Sequence, residues 1–245
     1  MACGMWESKK LSTWISTMES SLSPTLQIDS KTHFGYLSGP WWNRSAQRLV
    51  EVMANIAIGS GLHLFVAPNG AGKTTLMRTL AGLNKVLSGK LHVHGRVLYL
   101  SEELKMDAEL KAKNLFRAMF KGPALERALQ LADTLKLNSS TPIGHLSRGN
   151  RQKVLLILAE TRVHASGGSV VLMDEPLSGL DAETREIVAA LWAEPKDRVL
   201  RLVVLHELES VRHADSLFTI KSGKLCHAPE RTGGSWMDTY QELQK

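Results

Sequence analysis

The sequence predicts an α/β fold, in which a largely parallel sheet is covered by helices and a helical subdomain is inserted. Three observations support this prediction. Short apolar runs bounded by glycine or proline alternate with segments of helical periodicity, as in strands joined by crossover helices. A glycine-rich turn, residues 67–72, lies directly between one such run and one such helix. Between residues 107 and 137 a longer helical stretch interrupts the alternation, which predicts the inserted subdomain.

Strands are predicted wherever apolar residues alternate with polar ones or form a short continuous run. Leu62–Val66, bounded by Gly61 and Pro68, has the composition of a central strand. The predicted strands are Thr25–Asp29, short pieces within Leu49–Ile58, Leu62–Val66, Leu91–Leu100, Ser169–Met173, Val199–Leu205 and Ser216–Ile220.

Helices are predicted where apolar residues recur three or four positions apart. The predicted helices are Lys73–Leu83, two parts of Asp107–Leu137 divided at Gly122-Pro123, Arg151–Val163 and Ala182–Trp192. The inserted subdomain carries an apolar stripe of Leu110, Leu115, Phe116, Met119 and Phe120. We expect residues 1–24 to be a flexible extension and residues 25–245 to be one domain, with a helical insertion at about 103–165.

Composition excludes several classes of protein. The 245 residues are 43% hydrophobic and 22% charged, which is ordinary for a globular protein. No apolar run approaches the roughly 18 residues of a membrane-spanning helix. The net charge of +6 comes from scattered Lys and Arg residues without interleaved aromatic residues, so no nucleic-acid partner is expected. Cys3 and Cys226 lie near opposite ends and are expected to be reduced thiols.

The turn after the strand Leu62–Val66 has the pattern of a phosphate-binding loop. Glycines at 70 and 72 allow backbone conformations that bring N–H groups close to phosphate oxygens. Lys73 is placed to reach the β- and γ-phosphates of a nucleotide, and the Thr74 hydroxyl is placed to bind Mg²⁺. Ala67 replaces the first glycine of the usual pattern, at the cost of one methyl group. The predicted binding residues are Asn69, Gly70, Ala71, Gly72, Lys73, Thr74 and Thr75.

A second segment, Val170–Pro176, is an apolar strand that ends in two adjacent carboxylates. Asp174 is expected to hold Mg²⁺ beside the phosphate-binding loop. Glu175 is expected to act as a general base or to orient the attacking water. A loop that merely begins with two acidic residues is the simpler alternative, but the match at Lys73 and Thr74 argues against it.

A third segment, Leu146–Lys153, leads directly into a helix. Ser147 is a good N-cap and Gly149 leaves room for another backbone to approach. A capped helix start with exposed N–H groups suits an anion such as a γ-phosphate. Considered alone, this segment would be interpreted as an ordinary helix cap.

Together these motifs resemble the ATP-binding subunits of ABC transporters, over roughly Thr25 to Lys245. Five features occur in family order: the phosphate-binding loop, the signature loop Leu146–Asn150, the pair Asp174-Glu175, the D-loop Ser178–Asp181, and His206 after a strand. The resemblance implies the P-loop NTPase fold of ABC-type ATPases, with an antiparallel β subdomain beside the parallel sheet. Ser235–Leu243 resembles the closing helix of exporter subunits.

The resemblance also implies how the site works. Two subunits pair head to tail around two ATP molecules, so that Ser147 and Gly149 contact the nucleotide bound by the opposite subunit. His206 would contact the γ-phosphate within its own subunit, as a catalytic residue beside Glu175, and Asp181 would connect the two sites. An aromatic residue about thirty positions before Lys73 would stack on adenine. Trp42 or its neighbour Trp41 falls there, with Tyr36 and Phe34 as alternatives, and a structural tryptophan is an equally good interpretation.

Two motifs depart from the family pattern. The signature usually reads Leu-Ser-Gly-Gly-Gln, whereas here Arg148 replaces the first glycine and Asn150 replaces the glutamine. Such variants resemble the exporter branch. The glutamine of the Q-loop is missing, and the segment Val97–Glu103 aligns best with it, which assigns Glu102 as a third metal-site residue.

The leading hypothesis is an ATPase subunit that uses ATP and Mg²⁺ to power a membrane exporter of the haem-export or multidrug and polysaccharide-type systems. Its expected partners are an integral membrane transporter subunit and a second ATPase subunit, most simply a second copy. It would lie peripherally on the cytoplasmic face of the inner or cell membrane. The stripe around Leu104–Phe120 would receive a helix of the membrane subunit, although core packing explains most of it. The alternative is a soluble ABC-type ATPase in an assembly process such as iron–sulfur cluster biogenesis.

Overall fold

The protein is described by a computed structural model. The structure describes residues 23–245 except 102, 103, 105, 166, 167, 195–197, 207, 209, 210 and 212. The predicted N-terminal extension therefore lies almost wholly outside the described residues, and so does Glu102. The prediction of one domain from residue 25 stays a prediction.

The strands form two sheets. In chain order they are β1 (Thr25–Ile28), β2 (His33–Ser38), β3 (Ser45–Val52), β4 (Ile56–Ile58), β5 (Gly61–Phe65), β6 (Leu91–His94), β7 (Arg96–Leu100), β8 (Ser169–Asp174), β9 (Val199–Val204), β10 (Ser216–Lys221) and β11 (Lys224–Ala228). Within the described ranges, eight of these strands form the larger sheet, in the order β2-β3-β11-β10-β5-β9-β8-β7. The five strands from β10 to β7 are mutually parallel and form the centre of the fold.

The smaller sheet is antiparallel. It has the order β4-β1-β6 among the described residues. The prediction of a mostly parallel core sheet with an antiparallel β subdomain is confirmed.

The helices are α1 (Lys73–Leu80), α2 (Ala112–Met119), α3 (Pro123–Thr134), α4 (Arg148–Ala165), α5 (Ala182–Ala193) and α6 (Trp236–Gln244), with a 3₁₀ turn at Ile143–His145. Gly122 and Pro123 separate α2 from α3, since proline fits only the first turn of a helix. Ser235 caps α6, because its hydroxyl accepts from the Asp238 N–H while Asp238 reaches back to the Ser235 N–H. The helices α2, α3 and α4 all lie within residues 103–165, where the helical insertion is predicted.

Buried side chains alternate between the two faces of the parallel strands. On β8, Val171 and Met173 face the helical side, whereas Val170 and Leu172 face α1 and the antiparallel sheet. This period of two is what a strand buried on both faces requires. One face of the sheet is thus covered by helices. The other is covered by α1 and by the antiparallel sheet, which the strand-and-helix alternation did not predict.

A buried ion pair joins three elements behind the helical face. Glu160 of α4 accepts hydrogen bonds from Arg201 of β9, with Nη2 to Oε2 at 2.9 Å and Nε to Oε1 at 3.3 Å. The indole N–H of Trp192 in α5 donates to the same carboxylate at 3.2 Å. All three side chains are at least 96% buried, because their exposed fractions are only 3%, 2% and 3%. Three donors satisfy the carboxylate, which is the condition under which a charge can remain in a protein interior.

Two predicted boundaries were wrong. Leu91–Leu100 was predicted as one extended stretch, but it forms β6 and β7, which belong to different sheets. Gly95 separates them with φ at +119°, a conformation that favours glycine. The helix predicted from Arg151 begins at Arg148, because the Ser147 cap lies earlier than the apolar periodicity suggests. Strands β2 and β11 were not predicted.

Among the described residues, no helix combines the length and the apolar character needed to cross a bilayer.

Candidate nucleotide site

The phosphate-binding loop leaves β5 and enters α1 through two glycines in left-handed conformation. Gly70 has φ at +77° and Gly72 has φ at +101°. A Cβ atom on Gly72 would lie 3.1 Å from Val50 Cγ2 and 3.3 Å from Leu49 Cβ, both on β3. The positive φ at position 72 therefore favours glycine, and the neighbouring strand leaves little room for a larger side chain.

Lys73 is folded back into this loop. Its Nζ donates to the carbonyl oxygens of Ala67 at 2.8 Å and Pro68 at 3.2 Å, and its side chain is buried. These carbonyls hold the ammonium group where the loop closes on itself. A phosphate in the loop would offer the same ammonium group a charged acceptor, which makes a stronger hydrogen bond than a neutral carbonyl.

Thr74 and Asp174 meet although one hundred positions separate them. The Thr74 hydroxyl donates to Asp174 Oδ2 at 2.9 Å. Burial raises the pKa of the Asp174 carboxyl; the Thr74 hydrogen bond opposes this shift and the adjacent Glu175 charge adds to it. A hydroxyl and a carboxylate side by side are the hard oxygen donors that Mg²⁺ prefers, and a cation would relieve the cost of ionising Asp174. The residues present therefore fit a magnesium ion.

Glu175 and His206 form a second pair at the same edge of the sheet. Glu175 follows β8, His206 follows β9, and His206 Nε2 lies 2.7 Å from Glu175 Oε1. Glu175 has φ at +54°, an uncommon conformation for a residue with a Cβ atom. A small cavity of about 150 Å³ includes both residues together with Ser178, Gly179 and Arg185. The parallel strands thus deliver Thr74, Asp174, Glu175 and His206 to one place, as the carboxyl ends of such strands do.

The signature loop lies at the start of α4. Ser147 is exposed, and its hydroxyl accepts from the Asn150 N–H at 3.2 Å, so it caps the helix as predicted from its residue type. Gly149 touches the D-loop, because a Cβ atom there would lie 2.3 Å from the carbonyl oxygen of Gly179. Gly149, which is predicted to bind nucleotide, is therefore also a packing glycine.

The aromatic candidates differ sharply in exposure. Trp41 and Trp42 lie at the tip of the β2–β3 hairpin, 79% and 72% exposed, with their rings edge to face at a centroid distance of 5.6 Å. Tyr36 on β2 is 46% exposed, whereas Phe34 is fully buried. Phe34 is thus unsuited to stack on a base in this conformation, and a core role is the simpler interpretation for it.

Comparison with known proteins decides the family. The family described as "ABC transporter" matches residues 52–178, about half of the chain. The chain is 35% identical to the cytochrome c biogenesis ATP-binding export protein CcmA of Sphingopyxis alaskensis, over 69% of this chain and 89% of that protein. The chain belongs to the ABC transporter family.

Other relatives of this ABC transporter chain agree. It is 35% identical to the CcmA protein of Zymomonas mobilis, over 64% of this chain and 69% of that protein. The solved structure of an ATP-binding subunit of an ABC transporter matches its fold with a TM-score of 0.68, at 20% identity, over 90% of this chain and 99% of the other. A dimeric bacterial ABC transporter cassette matches with a TM-score of 0.65 at 17% identity, over 85% and 100%.

Membership of the family confirms the predicted activity. The chain is an ATP-binding subunit that hydrolyses ATP, uses Mg²⁺ and drives transport through a separate membrane subunit. The roles of individual residues are a separate matter and stay predictions.

Sequence reasoning missed the contacts between the signature helix and the D-loop of this ABC transporter subunit. Arg148 Nη2 donates to Ser178 Oγ at 2.9 Å, and Lys153 Nζ lies 3.8 Å from Asp181 Oδ2. Neither pair has a sequence signal, because the partners are about thirty positions apart and follow no helical or strand period.

Proposed function

We propose that this chain is the ATP-hydrolysing subunit of an exporter, working as a pair of identical copies on the cytoplasmic face of a membrane. The observation that carries the proposal is the convergence of Thr74 with Asp174 and of Glu175 with His206 at one edge of the sheet. The two CcmA relatives are described as ATP-binding export proteins of cytochrome c biogenesis, which supports export as the direction of transport for this chain.

The proposed role of the phosphate-binding loop is to bind the triphosphate of ATP. Backbone N–H groups of Asn69–Thr75 surround the phosphates, helped by the positive N-terminal end of α1. Lys73 leaves the carbonyls of Ala67 and Pro68 and binds the β- and γ-phosphates. The Mg²⁺ ion, when bound, neutralises phosphate charge, and Thr74 and Asp174 hold it. Glu102 is proposed as a further residue near the metal.

The proposed role of Glu175 is to take or orient the proton of the attacking water. Its carboxylate is fixed by His206 at 2.7 Å, so its direction is set before a nucleotide binds. His206 would then contact the terminal phosphate. Ser147 and Gly149 would bind the nucleotide held by the other copy. Trp42 would stack on the adenine of the nucleotide bound by the phosphate-binding loop of its own chain.

A groove beside α4 is the proposed docking site for the membrane subunit. It has a volume of about 410 Å³. Its described lining includes Leu104, Met106, Ala108, Arg151 and Leu155. Leu104 is 52% exposed there, which leaves an apolar contact free for a helix of a partner.

Isolation of the complex from detergent-extracted membranes tests this proposal. The wild-type chain should be recovered with a multi-span partner, and Leu104→Asp should lose that partner while still binding ATP. Leu83→Asp is the matched control, because Leu83 is 65% exposed but lies outside the groove. Recovery of the wild type in a wholly water-soluble complex would contradict transport and favour an assembly role.

A further inference from the structure

The D-loop, Ser178–Asp181, lies along the N-terminal end of α4 and touches it at three successive points. Arg148 Nη2 donates to Ser178 Oγ at 2.9 Å. A Cβ atom on Gly149 would lie 2.3 Å from the Gly179 carbonyl oxygen, so the two backbones are in direct contact. Lys153 Nζ lies 3.8 Å from Asp181 Oδ2.

The D-loop is also tied to the catalytic side of its own chain. The Ser178 N–H donates to the Glu175 carbonyl oxygen at 3.1 Å, which closes a tight turn directly after Glu175. Ser178, Gly179 and Glu175 line one small cavity with His206. A displacement of Ser178 is therefore transmitted to Glu175 through a single turn of backbone.

The two ends of the contact would serve different nucleotides. Under the proposed function, the tip of α4 faces the ATP bound by the partner copy, whereas Glu175 acts on the ATP bound by its own copy. We propose that Arg148 is a positioning residue that fastens the D-loop to the tip of α4, so that ATP engaged at one site sets the geometry of Glu175 at the other. This inference rests on the proposed function.

Of these three contacts, the hydrogen bond of Arg148 is the one that a side-chain substitution can remove cleanly. The Gly149–Gly179 contact is made by backbone atoms, and Lys153 is buried under the loop. Arg148 is exposed and reaches sideways from the helix to the hydroxyl of Ser178. Its planar guanidinium can hold that hydroxyl at a fixed distance from the helix axis, which a shorter side chain at position 148 cannot do.

A direct phosphate contact is the competing role for Arg148. A guanidinium at a helix N-terminus is a good anion ligand, and in that case Ser178 would be irrelevant. The two roles are separable because Ser178→Ala removes the acceptor of the hydrogen bond and leaves the arginine charge in place.

The experiment is a double-mutant cycle on the purified full chain with Arg148→Ala, Ser178→Ala and the double variant. Arg96→Ala is the matched control, since it removes an exposed arginine charge at the start of β7, away from the D-loop and the docking groove. Three quantities are measured: the rate and ATP cooperativity of hydrolysis, the affinity of the dilute monomer for a fluorescent ATP analogue, and the thermal midpoint.

We expect each single variant to lower the hydrolysis rate by about tenfold, the cost of one charge-assisted hydrogen bond, and to lower the Hill coefficient towards about 1. The double variant should be no worse than either single variant, because both remove the same contact. Monomer affinity and the thermal midpoint should stay at the wild-type values, and Arg96→Ala should behave as the wild type.

A Ser178→Ala variant with wild-type rate and cooperativity would overturn the inference and assign Arg148 to phosphate. Additive losses in the double variant, or a lowered thermal midpoint in both single variants, would also overturn it. Failure of the proposed function gives a different result: a wild-type chain that hydrolyses ATP without cooperativity and without ATP-dependent dimerisation.

Discussion

At the scale of single residues, Asp174 lies in an environment that opposes the charge of its carboxylate. Burial raises the pKa of its carboxyl above the value expected in the unfolded chain. A group of this kind stabilises the fold only below its unfolded pKa, and its contribution is lost as the pH rises. Ionisation of Asp174 as the pH rises therefore destabilises the chain, and a bound cation should reverse that effect.

Asp174→Asn should raise the thermal midpoint of the nucleotide-free protein at pH 7, by about 2 °C. The amide oxygen can still accept from Thr74, so the variant removes the charge and keeps the hydrogen bond. The same variant should lose the extra stability that the wild type gains from ATP with Mg²⁺. Thermal melts with and without Mg-ATP measure both effects. Asp133→Asn, an exposed change on α3, should alter neither, and a lower midpoint for Asp174→Asn would contradict this account.

Glu175→Gln should lower ATP turnover by about 100-fold or more while leaving the fold intact. The amide keeps the shape of the side chain but cannot accept a proton from water. Because the nucleotide is then not consumed, the variant should accumulate as an ATP-bound dimer, seen by size-exclusion chromatography with ATP. Glu186→Gln, an exposed change on α5, should turn over ATP as the wild type does. Wild-type turnover in Glu175→Gln would remove Glu175 from the reaction.

At the scale of elements, the hairpin of β10 and β11 brings His227 near His63 of β5, the strand that leads into the phosphate-binding loop. Burial lowers the pKa of His227 to about 4, and the nearby His63 charge adds to this effect. Burial also lowers the pKa of His63, although the Gly59 carbonyl and Asp215 oppose the shift. Both imidazoles are therefore neutral in the folded protein at pH 7, and His227 stacks on Phe218 at 4.4 Å.

This hairpin should make the fold acid-sensitive. The pKa of His227 in the folded state is depressed. The stability that its neutral imidazole contributes to the fold is therefore fully present above the unfolded pKa of about 6.5, and it is lost as the pH falls towards about 4. The thermal midpoint of the wild type should decrease when the pH is lowered from 7.5 to 5. The midpoint of His227→Phe should decrease less, because phenylalanine keeps the stacking on Phe218 and cannot bind a proton. His92→Phe, an exposed change on β6, is the control and should fall as steeply as the wild type. Equal slopes for His227→Phe and the wild type would contradict the assignment.

The elements that sequence reasoning could identify are those whose signal is local. The loop of residues 67–72 can be recognised because the residues that determine its conformation are adjacent in the sequence. The strand that ends at Asp174 can be recognised because it is buried on both faces and is therefore almost uniformly apolar. The division between β6 and β7 was missed because one glycine at φ +119° redirects the chain between sheets without changing its extended character. The hairpin β2–β3 was only partly seen, because eight residues of β3 begin with four exposed positions that carry no apolar alternation.

The candidate site divides in the same way. Residue types and spacing were sufficient to select Lys73, Thr74, Asp174 and Glu175, since each has a chemistry that few other roles require. They were not sufficient for Arg148 and Ser178, whose contact depends on how a helix tip packs on a loop. Nor could they choose among the aromatic residues, because exposure separates Phe34 from Trp42 and Tyr36, and exposure is a property of the folded chain.

At the scale of the whole molecule, the proposed site is complete only when two chains meet. Lys73 of one copy and Ser147 at the tip of α4 of the other copy would bind the same nucleotide between them. The rate of ATP hydrolysis per chain should therefore rise with protein concentration and then level off, as the dimer becomes the dominant species. Steady-state assays over a hundredfold range of chain concentration measure this. A rate per chain that is constant at every concentration, in a protein shown to be monomeric, would contradict the two-chain site.

The Glu160–Arg201–Trp192 cluster has a consequence for how such a pair forms. It links the helix that starts at the signature loop, the strand that ends before His206 and the helix that follows the D-loop. Three of the segments that would meet a neighbouring copy are thus anchored to one buried ion pair. The dimer interface should consequently be preorganised. Dimerisation should then depend on the shape complementarity of two rigid surfaces and not on the folding of flexible segments upon binding.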